Sequence, residues 1–159
     1  MGSGKTVVAK ALAKELKRTV ISTDELIEKK EKKIIREIFR ESGENYFRRL
    51  EREAVKEISQ KENVIIDCGG GVVINPDNMA DLRHNGIIFY LSTSPEYIYK
   101  RVKDHPHRPL LNVDDPLRKI KELLEKRKKF YEKADYTLDT NGKTPEQNCE
   151  EVLEIIRHE

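Results

Sequence analysis

Apolar residues recur along this chain with two alternating periods. Val7, Val8, Ala11, Leu12 and Leu16 fall three and four apart, which predicts a helix over residues 5–17. The same helical spacing returns over 24–32, 33–42, 45–60, 76–84, 95–103, 115–134 and 144–157. Between these stretches lie short apolar runs at 19–22, 64–66, 87–91 and 136–139, read as strands. The runs at 64–66 and 87–91 carry no polar alternation, so they are expected to be buried on both faces. Short apolar strands separated by helices predict an α/β fold, with a parallel sheet covered on both sides.

The chemistry begins at the first residue. Met1-Gly2-Ser3-Gly4-Lys5-Thr6 holds the end of a phosphate loop of the form Gly-x-x-x-x-Gly-Lys-Ser/Thr. In such a loop, backbone N–H groups wrap the phosphates and the lysine reaches the β and γ oxygens. The hydroxyl, here Thr6, holds Mg²⁺. A helix follows directly, which places its positive N-terminus at the anion. The first glycine of the motif would lie two positions before Met1, and the hydrophobic strand leading into the loop is missing. Met1 is therefore expected to be an internal methionine of a longer motif. Two other readings of this end exist: an expression-tag remnant, or a myristoylation pattern. Neither accounts for Gly4-Lys5-Thr6 running into an amphipathic helix, and a lipid anchor needs a second signal that does not adjoin this end.

Charge and composition narrow the function. The 159 residues carry 31 Lys+Arg against 29 Asp+Glu, a net charge of +2. That balance speaks against a nucleic-acid arm, and no aromatic residues interleave the lysines of 29–33. The Lys/Glu excess suits a solvated helix face and is also a habit of heat-adapted proteins. The longest apolar run, Ile87-Ile88-Phe89-Tyr90-Leu91, is far below the ~18 residues of a membrane span. Two cysteines, Cys68 and Cys149, make no disulfide framework, and Cys68 reads as a buried structural thiol. A soluble, cytoplasmic single domain over 1–159 is expected. His105 and His107 show no metal-ligand spacing and read as exposed loop residues.

Several further motifs occur in order. They are Asp24-Glu25-Leu26-Ile27-Glu28, Ile38-Phe39, Gly43-Glu44 with Phe47-Arg48-Arg49 and Glu51, Gly69-Gly70-Gly71, Arg108-Pro109-Leu110-Leu111, and Arg127 ahead of Tyr131 and Ala134-Asp135. This ordered set resembles shikimate kinase from Met1 to about Pro145. The resemblance implies a nucleoside-monophosphate-kinase-like fold, with a parallel sheet of order 2-3-1-4-5 and helices on both faces. Its first strand, the central one, is absent from this chain. Without that strand, buried backbone groups on both flanking strands lose partners at about 1–3 kcal/mol each, so the chain as it stands is expected to be marginal unless another segment fills the gap.

The resemblance also implies transfer of the ATP γ-phosphate to the 3-hydroxyl of shikimate, with Mg²⁺. Asp24 becomes the candidate base, its alternative role being a helix N-cap. Arg48 and Glu51, three apart on one helix face, become a carboxylate clamp and its orienter; the alternative is a surface ion pair. Arg127 becomes a second clamp, because a planar guanidinium binds carboxylates bidentately. Gly69, Gly70 and Gly71 leave backbone bare for substrate, in place of a plain flexible turn. The acceptor segment is about 24–52, and the lid about 103–115 carries Arg108 to the transferring phosphates. Gly2, Ser3, Gly4, Lys5 and Thr6 cradle ATP, while Arg101, Lys143 and Pro145 hold adenine; Lys143 stands where many relatives have arginine.

One departure concerns the metal. The usual Asp-x-Asp reads Ser22-Thr23-Asp24, whereas the strand at 64–66 runs into Asp67. Ser22 and Asp67 are expected at the C-terminal ends of neighbouring strands, with Asp67 joining Thr6 in supporting Mg²⁺; the alternative is that Asp67 caps the glycine turn. Shikimate and ATP are the expected partners of a monomeric enzyme, without nucleic acid or membrane. Another small-molecule kinase of this fold, such as a gluconate kinase, and a phosphate-loop relic without turnover are the competing functions.

Overall fold

The computed structural model describes residues 2–103 and 113–159. Among them, helices and strands alternate as α1 Lys5–Leu16, β1 Thr19–Ser22, α2 Thr23–Glu31, α3 Ile35–Ile58, β2 Val64–Asp67, α4 Pro76–His84, β3 Phe89–Ser92, α5 Pro95–Val102, α6 Pro116–Tyr131, β4 Tyr136–Asp139 and α7 Pro145–His158. A 3₁₀ turn, Val72–Ile74, precedes α4. Local chemistry sets most helix starts. Asn75, Ser94, Asp115 and Thr144 each accept a backbone N–H with the side chain, and each is followed by a proline. A polar N-cap satisfies a free donor, and proline at the first helical position forfeits no hydrogen bond. Thr144 and Gln147 complete a capping box. No helix among the described residues is long and apolar enough to cross a membrane.

The chain divides into two compact units: Met1–Ala11 with Ile88–Glu159, and Leu12–Ile87. In the second unit β1 and β2 pair in parallel, from Thr19↔Val64 to Ser22↔Asp67. Helix α2 packs on α3 through Ile27, Ile38, Phe47 and Ala54, with Leu26, Ile35, Phe39 and Leu50 around them. In the first unit β3 and β4 pair in parallel, from Phe89↔Tyr136 to Ser92↔Asp139. Phe89 stacks on Tyr136 at 5.4 Å and Tyr90 on Tyr131 at 4.6 Å. Burial pushes the Tyr90 phenol above its ordinary pKa. Ile98, Val102 and Ile120 form the core between α5 and α6.

Three expectations change. Val64, Ile65, Ile66, Phe89 and Tyr90 are only half-buried, because among the described residues each strand pair is a sheet of two, which has no interior strand. Strand β3 begins at Phe89, since the Asp135 carboxylate takes the Ile88 N–H and closes the ladder at that point. The helices expected over 33–42 and 45–60 run together as α3, broken only at Gly43, whose φ of 81° and ψ of 176° are non-helical.

Candidate active site

Of the residues expected to hold the acceptor, Asp24, Arg48, Glu51 and the glycines 69–71 lie within the unit Leu12–Ile87, whereas Arg127 lies in the other unit. Strand β1 ends at Ser22, whose hydroxyl accepts the Glu25 N–H and caps α2. Asp24 is thereby released from the capping role, and its carboxylate lies against Gly69. A Cβ on Gly69 would stand 2.7 Å from Asp24 Oδ1. The Gly69 N–H donates to the hydroxyl of Thr23, at 2.8 Å, and Thr23 is wholly buried. This ties the start of α2 to the turn after β2.

Two residues on, the same turn meets α3. A Cβ on Gly71 would stand 2.1 Å from Arg48 Nη1 and 2.6 Å from both Cζ and Nη2. No side chain fits there without expelling the guanidinium. The triple glycine is therefore approached by the protein's own charged groups, Asp24 at one end and Arg48 at the other.

Arg48 is itself held. Its Nη1 donates to Glu51 Oε1 at 2.9 Å and its Nη2 to Glu44 Oε1 at 3.3 Å. Glu51 is 1% exposed, so the Arg48–Glu51 contact is no ordinary surface pair. The Arg48 guanidinium also lies over the Phe47 ring at 5.4 Å, a cation–π distance. Beside this site the helix is tethered. Tyr46 donates to Glu31, which raises its phenol pKa, and Lys33 pairs with Glu41, raising the ammonium and lowering the carboxyl. Asp67 is buried, ends β2, and is the register partner of Ser22. Cys68 beside it is half-buried rather than buried, and neither cysteine is in a disulfide.

The residues expected to hold the nucleotide, Arg108 aside, lie in the unit Met1–Ala11 with Ile88–Glu159. Gly2 and Gly4 take φ of +61° and +84°, the left-handed region that glycine occupies without strain. The Gly4 carbonyl accepts the Val8 N–H at 3.1 Å, which makes Lys5 the first residue of α1. The loop rests on α5. A Cβ on Gly2 would stand 2.9 Å from Val102 Cγ1, and one on Gly4 would stand 3.2 Å from Arg101 Nη1. Arg101 Nη1 donates to the Gly2 carbonyl at 3.3 Å, and its guanidinium lies over the Tyr97 ring at 5.2 Å. Ser3 is buried, Lys5 half-buried and Thr6 exposed.

The other expected residues divide. Lys143 pairs with Glu151 on α7, and Pro145 opens that helix. Arg127 is half-buried on α6. Gly70 lies in the turn between Gly69 and Gly71. Arg108, with His105 and His107, lies outside the described residues. Thr23 and Glu44 stand in motifs the sequence reading quoted but were given no role there, and Tyr97 was not singled out. The signal that could have given Glu44 its role is its place four residues before Arg48, a helical ion-pair spacing.

Residues 1–157 match the family model for shikimate kinase. The shikimate kinase of Caldanaerobacter subterraneus subsp. tengcongensis is 48% identical over 153 residues, covering 96% of this chain and 90% of the relative. That of Thermodesulfovibrio yellowstonii is 46% identical, covering 96% and 88%. Among solved structures, shikimate kinase from Acinetobacter baumannii in complex with shikimate superposes with a TM-score of 0.95 at 33% identity, covering 99% of this chain and 89% of that one. Shikimate kinase from Aquifex aeolicus gives 0.85 at 37% identity, covering 99% and 92%.

Proposed function

The chain belongs to the shikimate kinase family, and from that premise we propose that it transfers the γ-phosphoryl group of ATP to the 3-hydroxyl of shikimate, as a cytoplasmic monomer with one kinase domain. The observation that carries this reading is the lock at the glycine turn, where Asp24 and Arg48 stand against Gly69 and Gly71. A small acid with several hydroxyls needs a fixed cation for its carboxylate and a fixed carboxylate for its hydroxyls, and this turn supplies both.

Arg48 binds the shikimate carboxylate, with buried Glu51 fixing the guanidinium plane. Arg127 is the second clamp. Asp24 accepts the proton of the reacting hydroxyl; phosphoryl transfer asks little covalent chemistry of the protein, so orienting that hydroxyl is its larger task. Gly69, Gly70 and Gly71 line the acceptor with backbone. Ser3, Gly4 and Lys5, at the N-terminus of α1, cradle the phosphates, with Gly2 shaping the loop. Arg101, Lys143 and Pro145 face adenine. Arg108, from the lid segment 103–115, neutralises charge on the transferring group.

The donor set suits magnesium. Thr6 offers a hydroxyl and Asp67 a buried carboxylate, both hard oxygen ligands. No cluster of three His, Cys, Asp or Glu residues that would hold a metal occurs among the described residues. When bound, Mg²⁺ neutralises charge on the β- and γ-phosphate oxygens. Asp67 stands in register with Ser22, which supports a carboxylate carried on β2 where relatives carry one on β1.

ADP release measured with shikimate, with gluconate and with no acceptor tests the proposal. Turnover with shikimate alone is expected. Equal efficiency with gluconate, or no turnover with any acceptor, overturns it.

A further inference from the structure

Arg48 is gripped by two carboxylates of opposite standing. The Glu51 side chain is 2% exposed and bonds Nη1 at 2.9 Å; the Glu44 side chain is 63% exposed and bonds Nη2 at 3.3 Å. Gly71 backs the same two nitrogens so closely that no Cβ fits. A carboxylate that binds a guanidinium bidentately needs two parallel N–H donors. With Gly71 behind and Glu51 buried alongside, Glu44 is the carboxylate on Arg48 that stands in solvent and can leave.

Its departure costs little, for two reasons. Exposed ion pairs are weak. Glu44 also directly follows the helix break at Gly43, at the N-terminal end of residues 44–58, where the helix dipole favours a carboxylate whether or not it touches Arg48. We infer that Glu44 is a built-in competitor: in the empty enzyme its carboxylate occupies the position on Arg48 that the carboxylate of shikimate takes, and substrate displaces it. This rests on the reading of Arg48 as the substrate clamp. Glu44 thus sets how tightly the acceptor binds, and it acts against affinity, whereas Glu51 acts for it.

Calorimetric titration with shikimate tests the inference on Glu44→Gln and Glu44→Ala. Both variants should bind shikimate about two- to fivefold more tightly, the scale of one exposed ion pair. The methyl ester of shikimate, which has no anionic carboxylate, should gain nothing. The KM for shikimate should fall by more than any change in the KM for ATP. Arg48→Ala should weaken shikimate binding, and adding Glu44→Gln to it should bring no recovery. If Arg48→Ala weakens binding but the Glu44 variants bind shikimate equally or more weakly, Glu44 is a support of Arg48 and the competitor inference is wrong. If Arg48→Ala leaves shikimate binding unchanged, the clamp reading itself fails.

Discussion

The two units solve their recognition problems with different materials. The unit Leu12–Ile87 works with side chains locked against backbone: Asp24 on Gly69, Arg48 on Gly71, Glu51 and Glu44 on Arg48, Thr23 on the Gly69 N–H. The other unit works with backbone exposed at a helix start, where two left-handed glycines lead into α1 and Arg101 braces the Gly2 carbonyl. On the proposed assignment, the difference follows from the ligands. Every nucleotide presents the same phosphates, so main-chain donors at a helix N-terminus serve. A small hydroxy acid is distinguished only by where its carboxylate and hydroxyls sit. Charged side chains of fixed geometry are needed to read that, and fixing them takes an interlock.

The largest break in this contrast is expected from Arg48→Ala. It should reduce kcat/KM for shikimate by about 2–5 kcal/mol, the cost of truncating one partner of a desolvated charge pair. The KM for ATP should barely move in steady-state assays. Gly71→Ala should reproduce most of that loss, since the new Cβ would stand 2.1 Å from Arg48 Nη1. Equal losses for ATP and shikimate would show that the turn serves the fold rather than the acceptor.

Arg108→Ala should lower kcat by roughly 10²–10³-fold with modest loss of shikimate affinity, the scale for losing one preorganised charge stabiliser. Arg101→Met tests the nucleotide side by itself. It removes the brace on Gly2 and the stack on Tyr97, and should raise the KM for ATP by about tenfold, from the loss of one charged hydrogen bond. The KM for shikimate should stay put, and a parallel rise would erase the division between the units.

The metal gives a finer cut. Asp67→Ser should raise the Mg²⁺ concentration needed for tight ADP binding by calorimetry, and Ser22→Asp added to it should recover much of the loss, because the two positions are register partners. Unchanged Mg²⁺ dependence in Asp67→Ser would assign Asp67 to the glycine turn alone.

The smallest effect is in pH dependence. Lys33 holds the Glu41 carboxyl below its ordinary pKa, so that pair's contribution is present above about pH 4.3, the unfolded carboxyl value, and is lost as pH falls through the lower folded value. Lys33 is raised in turn, so its contribution is complete below about pH 10.4 and is lost as pH rises through the higher folded value. Lys33→Met should therefore lower Tm slightly between these limits, and the gap should close in acid. Both groups face solvent, so added salt should close it too. A gap that persists in acid would assign the effect to the packing of the lysine stem.

Local signals carried far in this protein. The helix starts expected at 76 and 95 came out to the residue, those expected at 115 and 144 fell one residue early on the N-caps, and the apolar runs at 19–22 and 136–139 became strands with the same bounds. These features need only a residue and its near neighbours, so the chain states them outright. The phosphate loop and the Arg48–Glu51 spacing belong to the same class. Strand burial did not, because whether Val64–Ile66 is covered depends on how many strands share its sheet.

The sequence by itself determined the order of elements, the loop that opens α1 and the residue types available for a hydroxy acid and a nucleotide. Only the tertiary structure decided what each of them touches. Ser22 takes the cap and leaves Asp24 for Gly69; Gly71, in the turn after β2, is backed by an arginine carried on α3; Glu51 is buried while Glu44, seven residues earlier on α3, faces water. The physical reason is distance along the chain. A cap or a helical stripe is settled over three or four residues, whereas the space beside a glycine depends on which distant backbone packs there, and no periodicity in the sequence encodes it.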